Sequence, residues 1–145
     1  MTEVASPSVS SVNIKAVIAV AIGAFIAGGV WYSPLLFEGA WMSAHGYSRA
    51  DVDSILGGLV PFGFIGTFAA YLVTCLVTAV LCRTTDARTW RAGAVLGSLL
   101  WAGYAASIGL TTALFSTSSI SGWIIDSAFQ LVFLVASGAV LAVWR

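Results

Sequence analysis

One acidic residue lies within an apolar stretch, and its neighbours on the same helix face could take part in chemistry. Asp126 is followed by Gln130 after four residues and by Ser137 after eleven. At 100° per residue these three side chains fall within about 40° of one another on a helix. Ionisable residues inside membrane helices often mark functional sites, so this face is a candidate solute path. Alternatively Asp126, three residues past Trp123, stays hydrated near the interface or complements the positive N-terminal end of its helix dipole.

The histidine and the two cysteines offer weaker signals for metal or redox chemistry. His45 is the only histidine, and its loop also holds the acidic residues Glu38, Asp51 and Asp53. A metal site is conceivable there, but a zinc site would show tighter His/Cys spacing, and solvated loop residues are the simpler interpretation. Cys75 and Cys82 are seven residues apart and form no CxxC motif. They are predicted to be buried small residues.

The sequence contains no recognisable catalytic set. A single histidine cannot support a convincing Ser-His-Asp triad, and there is no glycine-rich phosphate loop between a strand and a helix. No second titratable group is expected at the depth of Asp126, which disfavours general acid–base chemistry there. We therefore expect no catalytic residues, no metal and no cofactor.

The composition determines what kind of element must hold these residues. Of 145 residues, 59% are hydrophobic and only 8% are charged, with a formal net charge of zero. Soluble domains are roughly 25% charged, so this chain could not cover a soluble surface. The absence of a net basic charge also disfavours nucleic acid as a partner. An all-α integral membrane protein, with the lipid bilayer as its surroundings, is predicted.

Four apolar stretches are long enough to cross a hydrocarbon core of ~30 Å as helices. They cover approximately residues 14–32, 59–81, 92–115 and 123–144. These four spans nearly exhaust the apolar residues. One four-helix transmembrane domain is therefore expected over residues 14–145, preceded by a flexible tail at residues 1–13.

The distribution of cations predicts the orientation. Arg83, Arg88 and Arg91 lie in the short loop after the second span, and cytoplasmic loops are enriched in Lys and Arg. With four spans both termini then lie in the cytoplasm, in agreement with Lys15 and Arg145. The outer side then carries an acidic balance, which favours the attraction of cations.

The loop between the first two spans is too apolar to be a plain solvated linker. Ser48 and Asp51 have the spacing of a capping box, which predicts a short helix that Gly57-Gly58 would stop. Pro61 is expected in the first turn of the second span, where its missing N–H costs little. A partly helical segment associated with the outer leaflet is predicted.

A family resemblance is carried by this loop. The run consists of Trp31, Tyr32, Ser33, Pro34, Leu35, Leu36 and Phe37, followed by Trp41 and Met42. It resembles the hallmark of the family called domain of unknown function 1761, and the resemblance extends over most of the chain. It implies a small four-span protein of the bacterial inner membrane and supplies no activity. Two departures are Glu38-Gly39, where the family often has Gly-Lys, and Gln130, where it often has His.

Small and polar residues within the spans predict helix packing. Gly93 and Gly97 form a GxxxG motif, which allows close helix contact and could also build a homo-oligomer. Gln130 is expected to hydrogen-bond across to another helix, with candidate partners at Tyr71, Tyr104 and Ser107. Trp101 and Tyr104 are predicted to be core residues.

Three functional hypotheses remain open from the sequence. The first is a non-enzymatic membrane protein that binds or conducts a small solute, an ion or a lipid along the Asp126 face. The second is an accessory or assembly subunit that packs against another membrane protein through small-residue faces. The third is an intramembrane enzyme that uses Asp126.

Overall fold

A computed structural model describes residues 12–116 and 119–144, without the side chains of residues 55–61. All secondary structure in these ranges is helical. Four helices are long and apolar enough to cross a membrane: Ile14–Trp31, Phe62–Thr84, Trp90–Phe115 and Ile120–Val143. The prediction of four helical spans is confirmed, and each observed bound lies within a few residues of the predicted one. Residues 1–11 of the predicted tail, and Arg145, lie outside the described residues.

Residues 12–116 and 119–144 contain six α-helices and one π-helical segment. They are α1 Ile14–Trp31, α2 Glu38–His45, α3 Arg49–Thr84, α4 Trp90–Leu100, the π segment Trp101–Ala106, α5 Ser107–Phe115 and α6 Ile120–Val143. The third span is thus formed by α4, the π segment and α5 in succession.

The four helices α1, α3, α4 and α6, with which the spans begin, are each preceded by a polar N-cap residue. The side chains of Asn13, Ser48, Thr89 and Ser119 each accept a hydrogen bond from a backbone N–H three residues later. These bonds satisfy N–H groups that have no partner within the helix. At Ser48 the carboxylate of Asp51 also accepts from the Ser48 backbone N–H, so the predicted capping box is confirmed.

The predicted stop at Gly57-Gly58 is wrong. The helix that begins at the Ser48 cap continues without interruption to Thr84. Pro61 therefore lies inside α3 and not in the first turn of a separate helix. Glycine lowers helix propensity by only about 1 kcal/mol per residue, and the surroundings of the chain readily override such a preference.

Helices α4 and α6 approach each other so closely that only glycine fits at their contact. A Cβ at Gly93 would lie 2.0 Å from the carbonyl oxygen of Gly138, and a Cβ at Gly97 would lie 2.1 Å from that of Leu134. The reciprocal approach holds at Gly138, where a Cβ would lie 2.2 Å from the Gly93 oxygen. The GxxxG residues therefore sit directly against the backbone of α6.

The core lies where α6 meets α1 and α3. Phe129 and Phe133 of α6 are buried there, and Tyr71 of α3 packs on Phe133 with ring centroids 4.8 Å apart. Cys75 and Cys82 are both fully buried and are not joined in a disulfide, which confirms their predicted role as small core residues. These contacts hold α6 in the centre of the bundle.

The π segment changes which residues of the third span face inward. Trp101 packs against the core as predicted, but Tyr104 is 66% exposed, so the prediction that it is a core residue is wrong. A π-helical turn contains more residues than an α-helical turn. Residues three apart in this segment therefore no longer share the face that α-helical spacing predicts.

Candidate functional site

The short helix α2 is attached to the N-terminal end of α6. Ser119 donates two hydrogen bonds to the carbonyl oxygen of Ala44, from its backbone N–H at 3.2 Å and from its hydroxyl at 2.9 Å. One turn further along α6, Gly122 faces the ring of His45, and a Cβ there would lie 2.8 Å from His45 Cε1. The glycine therefore leaves the space in which the imidazole lies.

Aromatic rings hold the histidine in place on α2. The rings of Trp41 and His45 are 4.5 Å apart between centroids. Helix α2 ends at Gly46, whose φ of 72° is left-handed, and Tyr47 then folds back to stack on Trp41 at 5.6 Å. Glycine adopts this conformation without the steric penalty of a Cβ.

Asp126 of α6 lies at the meeting point of three segments that are distant in sequence. Its Oδ1 accepts hydrogen bonds from the Tyr32 hydroxyl at 2.9 Å and from the Trp41 indole Nε1 at 3.0 Å. Its Oδ2 lies 3.3 Å from Nε2 of His45. The four residues Tyr32, Trp41, His45 and Asp126 are called the Asp126 site below.

The tautomer of His45 follows from its second contact. Its Nδ1 lies 2.9 Å from the carbonyl oxygen of Trp41. A carbonyl oxygen can only accept, so Nδ1 carries a proton. The other ring nitrogen, Nε2, faces Asp126. It carries a proton if the ring is an imidazolium ion, and it presents a lone pair if the ring is neutral.

The expectation that Asp126 has no titratable neighbour at its depth is wrong. His45 was expected to be a solvated loop residue, yet its side chain is only 15% exposed and lies against the carboxylate. The sequence gives no local signal for this contact, because it depends on how α2 folds back onto α6. Within the described residues no group of three His, Cys, Asp or Glu side chains could hold a metal ion.

A cavity of about 260 Å³ opens beside the Asp126 site. Its wall includes Asp126, His45, Thr112, Trp123, Ser127 and Gln130. The Thr112 hydroxyl already donates to the Ile108 carbonyl at 3.0 Å, so its oxygen remains as an acceptor towards a ligand. The wall therefore combines one carboxylate with neutral oxygen acceptors and an indole ring.

A second cavity of about 310 Å³ lies against the aromatic core. Its wall includes Tyr32, Tyr71, Thr74, Phe129 and Phe133. Ala105 and Gln130 belong to the walls of both cavities, so the two spaces adjoin at these residues. Of the three residues predicted to form one solute path, Asp126 and Gln130 line the first cavity. Ser137 is buried and lines neither cavity.

Gln130 is exposed, and two of its three predicted partners are engaged elsewhere or exposed themselves. Ser107 donates to the carbonyl oxygen of Ala102 at 2.6 Å, and Tyr104 is exposed. Among the hydrogen bonds of the described residues, none joins Gln130 to Tyr71, Tyr104 or Ser107. Its amide therefore remains available where the two cavities meet.

Two indole N–H groups hold the π segment, which contributes Ala105 to the walls of both cavities. Trp123 Nε1 donates to the carbonyl oxygen of Ala106 at 3.2 Å, at the end of this segment. Trp101 Nε1, at its start, donates to the carbonyl oxygen of Ser127 at 2.8 Å. π-helical turns often occur at functional sites, and here the segment places Ala105 between the two cavities.

The motif that carries the family resemblance builds the Asp126 site. Ser33 and Pro34 lie in the turn that follows α1, where the Ser33 hydroxyl donates to the Val30 carbonyl at 2.7 Å. The ring of Phe37 returns onto Trp31, with centroids 4.7 Å apart. This turn brings two side chains of the motif, Tyr32 and Trp41, to the same oxygen of the Asp126 carboxylate.

Comparison with known proteins identifies one family. A family model described as "Protein of unknown function (DUF1761)" matches residues 15–142, a range that includes all four residues of the Asp126 site. No curated protein and no solved structure matches the chain.

Proposed function

This chain belongs to the DUF1761 family, and we propose that it is a non-enzymatic membrane protein that binds a small monovalent cation at Asp126. The observation that carries the proposal is the Asp126 carboxylate in the wall of a cavity, with one oxygen held by Tyr32 and Trp41. The other oxygen is engaged only by His45 among the contacts of the described residues. A carboxylate positioned in this way binds a cation without having to reorganise.

The remaining wall of the cavity favours an organic ammonium ion over a divalent metal. A divalent ion is usually bound by several carboxylate or imidazole ligands, and the described residues contain no group of three such side chains. Thr112, Ser127 and Gln130 instead offer neutral oxygens, and Trp123 offers an indole ring. Ammonium groups are recognised by this combination of hydrogen-bond acceptors and an aromatic ring.

The adjoining cavities support movement of the solute beyond the binding site. A cation released from Asp126 would meet the Gln130 amide, which borders both spaces, and then the hydroxyls of Tyr71 and Thr74. We place the Asp126 site at the outer face of the bacterial inner membrane, with both termini in the cytoplasm. This orientation agrees with the basic loop that holds Arg83, Arg88 and Arg91.

The test is binding of methylammonium to the full chain in lipid nanodiscs, read by tryptophan fluorescence. Trp41 and Trp123 lie at the site and report its occupancy. The Asp126→Asn variant keeps an Oδ1 acceptor for Tyr32 and Trp41, so we expect it to fold and to bind at least tenfold more weakly. Such a loss corresponds to about 1.4 kcal/mol of binding free energy.

Asp53→Asn is the matched control for this experiment. Asp53 is an exposed acid of α3 that does not line the cavity, so its neutralisation changes the net charge equally and leaves the site intact. We expect unchanged binding in this variant. Equal affinity of the wild type and Asp126→Asn, or no binding of methylammonium at all, would exclude the proposed function.

An exposed face of α1 favours the second candidate, an accessory or self-associating subunit. Ala19, Gly23 and Ala27 are exposed on one face, and a Cβ at Gly23 would meet no atom within 4 Å. Small residues on a lipid-facing helix allow close contact with another helix. A Gly23→Leu variant that changes the mass of the native complex in native mass spectrometry would support a homo-oligomer, and an unchanged mass would count against this face.

A further inference from the structure

We infer that His45 and Asp126 together hold one proton and that a cation bound at Asp126 displaces this proton, so the site exchanges one proton for one cation. This inference rests on the proposed function and adds the means by which binding is coupled to protons. It is carried by the geometry of the pair, by the cavity beside it and by the charge of the surrounding residues.

The position of the proton follows from the hydrogen bonds of the two residues. Nδ1 of His45 is committed to the Trp41 carbonyl, so only Nε2 can face Asp126. If both residues were deprotonated, the lone pair of Nε2 would lie 3.3 Å from a carboxylate oxygen, and the two would repel. One proton on either atom turns this repulsion into an attraction.

The two oxygens of Asp126 have separate roles. Oδ1 already accepts from the Tyr32 hydroxyl and the Trp41 indole, which fixes the orientation of the carboxylate. Oδ2 is the oxygen that faces His45 and would bind either the shared proton or the cation. Holding both there would place two positive charges beside one carboxylate, so binding of one disfavours binding of the other.

Charge balance makes the exchange one for one. With the proton bound, the pair is neutral as a whole, either as imidazolium with carboxylate or as imidazole with carboxylic acid. When a monovalent cation enters and the proton leaves to water, the site contains one carboxylate and one cation and is neutral again. Holding both would leave one positive charge at the site without a negative partner, which is unfavourable because the His45 ring is largely shielded from water.

The surrounding residues provide no other charge to compensate. Among the residues that the structure describes, Asp126 and His45 are the only ionisable side chains in the wall of the first cavity. The titratable neighbours from the packed segments are phenols: Tyr32 after α1, Tyr47 after α2 and Tyr71 on α3. Phenols are neutral near pH 7. The residues that the π segment and α5 contribute to this wall are not ionisable, and α4 contributes no residue to it.

The experiment counts protons released when methylammonium binds. The full chain in nanodiscs is titrated at about pH 6 in weakly buffered solution that contains a pH-indicator dye, while tryptophan fluorescence reports binding. This mildly acidic pH favours the state in which the pair holds its shared proton before methylammonium is added. We expect close to one proton released per cation bound, and an affinity that weakens up to tenfold for each unit by which the pH is lowered.

The His45→Gln variant separates coupling from binding. Glutamine keeps a polar group near Asp126 but does not titrate, so we expect few protons to be released per methylammonium bound at the same pH, whatever the change in affinity. Circular dichroism confirms that the variant is helical; if it does not fold, the proton count of the wild type decides alone. Binding without proton release in the wild type overturns the inference and leaves the proposed function standing, whereas absence of binding overturns the function itself.

Discussion

Gly122 is the residue that allows His45 to reach Asp126. It lies on α6 one turn before the carboxylate, and any Cβ there would lie 2.8 Å from His45 Cε1 and 3.2 Å from both ring nitrogens. Real side chains do not tolerate such a contact, so the ring would have to move. The substitution therefore tests the position of the imidazole without altering any polar group of the site.

We expect Gly122→Ala to displace His45 while the protein stays folded. The displaced ring would no longer share a proton with Asp126, so methylammonium binding should lose most of the pH dependence that the wild type shows. Gly66→Ala is the control, because a Cβ at Gly66 meets no atom within 4 Å. The same pH dependence in both variants would show that the contact between His45 and Asp126 is not what couples binding to protons.

The residues of the site were only partly predictable from the sequence. Asp126 stands out because it is an acid inside an apolar stretch, and that property is local. Its partners Tyr32 and Trp41 are 94 and 85 positions away, so no spacing rule links them to the carboxylate. Only the run that resembles the family motif pointed to them, and it gave no indication of what they contact.

At the scale of the helices, the start of α3 depends on one ionised carboxylate. The Ser48 hydroxyl and backbone N–H both donate to Asp51, and these bonds lower the pKa of Asp51 below its ordinary value. A carboxyl group with a lowered pKa in the folded state stabilises that state above its ordinary pKa. The stabilisation is lost as the pH falls from about 4 through the lowered value.

We therefore expect the first turn of α3 to fray in acid. Hydrogen exchange of the amides near Ser48 and Asp51 should accelerate below about pH 4, relative to the rate expected for unstructured peptide. The Ser48→Ala variant removes the hydroxyl that donates to the Asp51 carboxylate and accepts from the Asp51 N–H. Its amides in this turn should therefore exchange fast at neutral pH as well. Unchanged protection of the wild type in acid would mean that the capping box does not hold this helix end.

The contact between α4 and α6 gives a prediction about stability. A Cβ at Gly97 would lie 2.1 Å from the backbone oxygen of Leu134, and backbone cannot rotate away as a side chain can. We expect Gly97→Ala to lower the free energy of unfolding by on the order of 1–3 kcal/mol, as overpacking does elsewhere. Thermal unfolding in detergent, followed by circular dichroism, measures the change.

Gly66→Ala is the control for this stability measurement. It makes the same chemical change on α3 with nothing within 4 Å, so alanine's higher helix propensity should leave stability equal or slightly raised. If both variants unfold at the temperature of the wild type, then α4 and α6 do not pack as closely as the structure shows.

Helix boundaries were predictable where the signal is local, and not where it depends on the surroundings. The Ser48 and Asp51 spacing indicated the start of α3 correctly, because a cap involves only adjacent residues. Gly57-Gly58 indicated an end that does not occur, because helix propensity is a weak preference. The π segment had no sequence signal at all, and it moved Tyr104 to an exposed position.

At the scale of the whole molecule, the ends of the bundle differ in charge, and this difference predicts which side of the membrane the Asp126 site faces. The loop between α3 and α4 contains Arg88, and Arg83 and Arg91 flank it within the neighbouring helix ends. Helix α2 and the start of α3 instead carry Glu38, Asp51 and Asp53 with Arg49, which pairs with Glu38 at 2.9 Å. Basic residues remain in the cytoplasm during insertion, so the α2 end should lie outside.

Cysteine labelling in intact bacterial cells tests this orientation. The native Cys75 and Cys82 are fully buried, so they should react little and need not be replaced. Ser43 of α2 and Thr84 at the end of α3 are both exposed, and neither carries charge, so their replacement by cysteine leaves the distribution of cations unchanged. We expect a membrane-impermeant maleimide to label Ser43→Cys in intact cells and Thr84→Cys only after the membrane is permeabilised. The reverse pattern would mean that the Asp126 site faces the cytoplasm. The cation would then be taken from the cytoplasm, and the displaced proton would be released into it.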